Sequence, residues 1–244
     1  MSGDGTTPRT FVLVHGGGGG GWTWQRLARV LRRNGHEVYT PTLTRFGERS
    51  HLDVAVTFDT FVTDIVNVIE FEDLHDVVLV GHSMGGVIIP RVAEKVPERI
   101  GAVVWLAAVV TADGETLLQA VPQSEWIARA VRILPDGTAD TGPDLIVEAN
   151  YQDGTPEDQA WFRARHTAYP PDALVEPGRL SAFLALGLPT AFVTATQDRT
   201  ILPEVCAKFA DRLPGCRRAT VDGSHNCLLS RPEATAAAIL SVTS

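Results

Sequence analysis

Val77-Val78-Leu79-Val80-Gly81-His82-Ser83-Met84-Gly85-Gly86 is an apolar run that stops at a glycine, presents a serine, and restarts through two more glycines into Val87-Ile88-Ile89. The run from Asp76 to Val80 is too short for a helix and suits a strand buried on both faces. From Val87 to Val96 the apolar residues take helical spacing, and Pro97 closes the segment. A serine between two glycines at a strand-to-helix junction is the G-x-S-x-G arrangement. The turn is tight enough to lift the hydroxyl clear of the sheet edge, and side chains at 81 and 85 would collide there. Free N–H groups at the helix start favour negative charge beside the serine. The rival reading is a glycine-rich turn in which Ser83 only caps the helix.

The segments on either side repeat the alternation. Thr10–Val14 reads as a buried strand, residues 23–33 as a helix with Trp24, Leu27, Val30 and Leu31 on one face, and His36–Leu43 as a strand. Phe58, Phe61, Ile65, Val68 and Ile69 mark another helix, and Ile100–Val110 another buried strand. This order predicts an α/β fold with a mostly parallel central sheet covered on both faces. Between residues 111 and 187 the pattern breaks into prolines, polar stretches and short helical pieces at Gln123–Leu134, Pro156–Thr167 and Arg179–Ala185. We read 111–187 as a helical cap inserted into a core formed by 1–110 and 188–244. Strands return at Pro189–Thr196 and Arg217–Val221, and Pro232–Val242 is a closing helix.

The strand at Thr10–Val14 runs into His15 and six consecutive glycines, Gly16 to Gly21, then Trp22. Glycines let backbone N–H groups come within about 3 Å of a developing oxyanion. With Ser83 as nucleophile, the expected donors are the N–H groups of Gly17 and Met84. His15 is expected to hold the loop by hydrogen bonds. The run also satisfies a nucleotide-binding glycine pattern, but it lacks a Lys-Ser/Thr ending and an evident acidic ribose partner.

A serine hydroxyl needs a histidine to take its proton, and that histidine needs a carboxylate to fix its tautomer. Only His166 and His225 follow Ser83 in the chain. His225 stands in Asp222-Gly223-Ser224-His225, just past the last predicted strand, whereas His166 lies in the insertion and reads as a solvated surface residue. Asp198 follows the strand Pro189–Thr196 and is the expected acid. Asp113 competes for that role after the preceding strand but fits a turn in Ala112-Asp113-Gly114, and Asp222 lies too close to His225 along the chain.

The composition fits this reading. The chain of 244 residues is 44% hydrophobic and 20% charged, with a formal net charge of −8, a balance that disfavours nucleic acid. Three cysteines show no metal-ligand spacing, so no metal site is expected and the thiols read as reduced. The start is polar, and the longest apolar run, Ala102–Val110, is far too short to span a bilayer. A cytoplasmic protein free of the membrane is expected; nothing in the pattern speaks to oligomeric state.

FVLVHGG (11–17), GHEVYTPTL (35–43), VVLVGHSMGG (77–86), TQDRTI (196–201) and DGSH (222–225) together resemble the α/β-hydrolase superfamily. Within it, the chain resembles the plant methyl esterase and hydroxynitrile lyase branch with its bacterial esterase relatives. The likeness runs over nearly the whole chain and is weakest in 111–187. It implies a cap over the active site, chemistry without a cofactor, and Ser83, Asp198 and His225 as the catalytic set. Lyases of this branch carry Thr after the loop histidine and Lys after the catalytic one. This chain has Gly16 and Asn226, which favours the esterases, although the plant esterases commonly have Met at the second position.

The expected activity is therefore hydrolysis of a carboxylic ester, lactone or thioester of a small apolar molecule. A lyase or cyclase on the same scaffold, and a small-molecule receptor, are the alternatives. Gly16 and the aromatic residues Trp126, Trp161, Phe162 and Phe183 are candidates for the substrate pocket, the four aromatics having ordinary core packing as their other reading. Glu48, Arg49 and His51 read as a solvated or salt-bridged loop.

Overall fold

The computed structural model describes residues 7–121 and 131–243. Its centre is a six-stranded sheet in the order β2-β1-β3-β4-β7-β8, with every pairing parallel. The strands are β1 (Thr10–Val14), β2 (Glu37–Tyr39), β3 (Val77–Ser83), β4 (Ile100–Ala108), β7 (Thr190–Ala195) and β8 (Arg217–Val221). β2 is shorter than the sequence predicts; Pro41, two residues on, has no N–H to extend the ladder. β3 is longer, continuing through Gly81 to Ser83 with a register shift between His82 and Ser83.

Side-chain alternation along these strands feeds two cores. Phe11, Leu13, Val78 and Val80 face α1 (Gln25–Arg33) and the closing helix Pro232–Thr243. Val12, Val14 and Leu79 face α2 (Phe58–Phe71) and α3 (Gly85–Lys95). α2 begins in a capping box between Thr57 and Thr60, and buries Phe58, Phe61, Val62, Ile65 and Ile69. Each such fully buried apolar side chain contributes roughly 1.5–3 kcal/mol over its exposed state.

The insertion differs from the predicted all-helical cap. Helices Leu117–Ala120, Pro143–Asn150, Pro156–Arg163, Asp172–Val175 and Leu180–Leu184 are joined by a small antiparallel ribbon, β5 (Arg132–Ile133) with β6 (Ala139–Asp140). The predicted helix Gln123–Leu134 falls mostly outside the described residues, and its end is strand rather than helix. Asp136 sets the turn between the two strands by accepting from Thr138 N and Oγ1. The helix Pro143–Asn150 goes unpredicted. Ion pairs from Arg26 to Asp158, Arg91 to Glu176 and Arg212 to Glu115 tie the insertion to the core. Among the described residues, no helix is long and apolar enough to cross a membrane.

The chain's order places the site. β1 leads left to β2, and the chain then resumes on the right with β3. In an open parallel sheet such a reversal opens a crevice beyond the carboxyl ends of the two central strands. β1 ends there in the glycine loop and β3 ends there in Ser83.

Candidate active site

Val14 is in register with Gly81, so Gly16 and Ser83 stand opposite each other two residues beyond. Ser83 has φ +53°, a left-handed value costly for a residue with a side chain. The turn is crowded: a Cβ at Gly81 would stand 2.8 Å from the Gly85 carbonyl oxygen, and one at Gly85 would stand 2.5 Å from that of Val14. Gly16 comes closest to the serine. A Cβ there would lie 2.8 Å from Ser83 Cβ and 3.3 Å from its Oγ.

His15 holds the glycine loop as expected. Its Nδ1 donates to the Gly16 carbonyl at 2.8 Å, and its Nε2 accepts from Leu43 N at 3.1 Å. Complete burial lowers its pKa to about 4, so the ring is neutral. The N–H groups of Gly17 and Met84 make no hydrogen bond among the described residues, and both residues line a cavity with Ser83. The loop after β2 is salt-bridged, as read: Arg49 pairs with Asp64 at 3.2 Å.

At the other end of the sheet Ala195 is in register with Val221. Asp198 and His225, a few residues further along each chain, therefore meet. His225 Nδ1 donates to Asp198 Oδ2 at 2.7 Å, with both residues almost wholly buried. Asp198 Oδ1 accepts from the backbone N–H groups of Thr200 (2.7 Å) and Ile201 (2.9 Å), which fixes the carboxylate. The other ring nitrogen, Nε2, is buried without a partner among the described residues. Ser83 and His225 line one small cavity, with no hydrogen bond between them in the resting geometry. Such bonds often tighten only when substrate binds.

The competing acids have other work. Asp113 accepts from Ser181 N at 3.0 Å and from its hydroxyl, capping a helix of the insertion. Asp222 accepts from Gln197 Nε2 at 2.7 Å and from Thr196 Oγ1.

Two compartments meet at Ser83. The first is mainly apolar, walled by Met84, Val109, Leu117, Ile146, Leu174 and Ile201 with Tyr169. The second is polar and holds His82, Asn150, Phe162, His166, His225 and Asn226, with Gly16 and Ser83 also on its wall. Of the aromatic pocket candidates among the described residues, only Phe162 lines either one. Trp161 packs edge-on against Trp22, 5.2 Å between centroids, beneath the Arg165 guanidinium. Phe183 is in the main core, edge-on to Trp105 at 5.6 Å. Trp126 lies outside the described residues.

His166 is a correction. Rather than a surface residue, it stacks against Phe162, bonds Thr141 Oγ1 through Nε2 at 3.0 Å, and covers Gly18 so closely that a Cβ there would overlap its ring. Thr167 N–H donates to the Gly18 carbonyl at 3.1 Å, completing a contact between insertion and glycine loop. Burial lowers the His166 pKa to about 4.

Sequence reasoning also passed over the residues that hold the His225 loop. His82 Nε2 donates to the His225 carbonyl at 2.9 Å, and burial keeps that ring neutral. The Asn150 carbonyl receives Asn226 N (2.9 Å), Asn226 Nδ2 (3.2 Å) and Ser224 Oγ (3.2 Å). A histidine inside the G-x-S-x-G turn was the available signal for the first; nothing local marks Asn150.

Comparison with known proteins bears on the family and the fold. The model of the "Alpha/beta hydrolase family" matches residues 11–238. A carbendazim hydrolyzing esterase of a Nocardioides species is 44% identical over 115 residues, an overlap of 47% of this chain and 48% of that protein. Salicylic acid-binding protein 2 of Nicotiana tabacum is 25% identical, over 95% of this chain and 96% of its own. Among solved structures, an extracellular α/β-hydrolase from a Paenibacillus species superposes with a TM-score of 0.83 over 96% of this chain and 99% of that one, at 24% identity.

Proposed function

This chain belongs to the alpha/beta hydrolase family, and from that premise we propose that it hydrolyses carboxylic esters of small uncharged molecules through an acyl-enzyme on Ser83. The observation that carries the proposal is the state of His225. Its Nδ1 is bonded to Asp198, and its Nε2, unpartnered among the described residues, is buried on the wall of the chamber that Ser83 also lines.

The chemistry follows from that arrangement. Nε2 of His225 takes the Ser83 proton as Oγ attacks the ester carbonyl. Negative charge gathers on the carbonyl oxygen, where the free N–H groups of Gly17 and Met84 and the start of α3 stabilise it. The imidazolium, stabilised by Asp198, gives its proton to the leaving alkoxide. Water repeats the cycle, releasing the acid and restoring Ser83. Esterases among the relatives support the reaction class. Gly16 supports hydrolysis over cyanohydrin cleavage, because a residue with a Cβ there meets Ser83. No lysine follows His225 to receive a cyanide ion.

The test is labelling with a fluorophosphonate together with turnover of short p-nitrophenyl esters. The native chain should label on Ser83 and turn over; Ser83→Ala and His225→Ala should each lose about 10⁴-fold or more in kcat. Hydrolysis that survives Ser83→Ala intact rejects the proposal.

A further inference from the structure

We propose that the polar chamber beside His225 is a subsite for an uncharged hydrogen-bonding group of the substrate, a hydroxyl or an amide, recognised by Asn150 and Asn226. The inference rests on the ester-hydrolase reading and adds to it what one side of the ester must carry.

The argument begins with unpaired atoms. Asn226 is 3% exposed and spends its Nδ2 on the Asn150 carbonyl, while its Oδ1 makes no hydrogen bond among the described residues. Asn150 is 8% exposed; its Oδ1 accepts from Thr200 Oγ1, and its Nδ2 makes no hydrogen bond among the described residues. Both residues line the chamber that Ser83 and His225 share. Two residues of the wall thus carry one acceptor and one donor without partners among the described residues, each on a side chain already anchored at its other end. A buried amide left with half its capacity unused favours a ligand that completes it over one that does not.

The chamber also excludes charge. Among the described residues no Asp, Glu, Lys or Arg lines it, and His82 and His166 are neutral through burial. A cation placed there would lose hydration with no carboxylate among the described lining residues to replace it, and an anion would have only His225 to face. A hydrocarbon group would leave both amides unpaired and has the other compartment to occupy, whose walls are mainly aliphatic. Ser83, Gly17 and Asn150 line both compartments, so an ester at the serine extends one arm into each. The two arms then differ in kind: one is hydrocarbon, the other compact and polar.

Matched esters test this without any mutation. Phenyl 3-hydroxybutanoate against phenyl 3-methylbutanoate exchanges hydroxyl for methyl on the acyl arm, and 2-hydroxyethyl benzoate against propyl benzoate does so on the alcohol arm. After division by the alkaline hydrolysis rate of each ester, kcat/KM should favour the hydroxyl member about 10-fold or more in one pair. In that same pair Asn226→Leu, checked for folding by its melting transition, should bring the ratio close to one. Equal rates within both pairs, as expected if the chamber serves only the hydrolytic water, overturn the subsite while leaving the esterase reading intact. An unchanged preference in folded Asn226→Leu overturns it too. No turnover of any of the four esters overturns the esterase reading itself.

Discussion

Two walls face each other across Ser83, and they are made in different ways. One is the edge of the sheet: the glycine loop, the serine turn, Asp198 and His225 each follow directly from the end of a strand. The other is the insertion, where Asn150 ends one helix, His166 follows another, and Tyr169 bridges to the ribbon by exchanging backbone hydrogen bonds with Ala139. Parallel register alone brings the first set together. The second set is placed by docking, through contacts such as Thr167 to Gly18 and Asn150 to Asn226. Chemistry should therefore fail sharply when the sheet edge is altered, and substrate choice should shift when the insertion is.

The largest effect expected on the sheet side, after Ser83 and His225 themselves, is at Asp198. Asp198→Asn keeps the shape but presents an amide that can fix the wrong tautomer of His225, moving its proton to Nε2. A loss of about 10³–10⁴ in kcat with KM little changed is expected. A loss below tenfold, measured on any ester the native chain turns over, would mean that Asp198 is not the group that orients the histidine.

Gly16→Ala comes next. Its methyl would stand 2.8 Å from Ser83 Cβ, an atom fixed directly to the serine turn, so the loop or that turn must move. Misplacing the nucleophile by a fraction of an ångström costs about 10²-fold in kcat. The same substitution at Gly35 meets nothing within 4 Å and touches no part of the site; with φ +87° it strains the backbone alone, so it controls for a loss of stability without a clash at the serine.

Protons report on the contact between the walls. His15 and His166, each with its pKa lowered to about 4, remain neutral in the folded chain where they would be protonated in the unfolded one. Below about pH 6.5 the unfolded state binds more protons, so stability is present above that value and is lost as pH falls toward 4. Each histidine contributes a slope of about 1.4 kcal/mol per pH unit in that window. Denaturant titrations between pH 7 and 4.5 should show it, and His166→Gln should make the slope shallower by one proton. An unchanged slope would place His166 in water, as its sequence context suggested.

That misreading shows where sequence stops being informative. The strands, the turn at Ser83 and the ends that carry Asp198 and His225 are local signals, because hydrophobic run, glycine and polar residue follow each other within ten positions. The parallel order then needs only the preference for short, right-handed connections. His166 and Asn150 gave no such signal. A histidine in an amphipathic helical stretch looks solvated until Gly18, more than a hundred residues earlier, is laid under it. For Asn226 the sequence offers only a comparison with the Lys and the Met that the resembling enzymes carry there. Trp161 and Phe183 failed as pocket residues because aromatic character marks burial without saying on which side of a helix the cavity lies.

The smallest effect divides the insertion itself. Ile146 is buried and lines the apolar compartment, whereas Trp161 is half-buried and packs outward on Trp22. Ile146→Ala removes hydrocarbon surface that an apolar arm of the substrate would cover, at about 0.8 kcal/mol for each methylene equivalent. A rise in KM of about 5–10-fold for esters with a bulky hydrocarbon arm is expected, with kcat little changed because the lost contact is made equally in ground and transition states. Trp161→Leu should move neither constant by more than about twofold, although it loosens the contact with Trp22 and lowers the melting temperature. Were the two outcomes exchanged, the hydrocarbon arm would lie toward Trp22 and the outer face of helix Pro156–Arg163, and the assignment of the two compartments around Ser83 would have to be redrawn from that side.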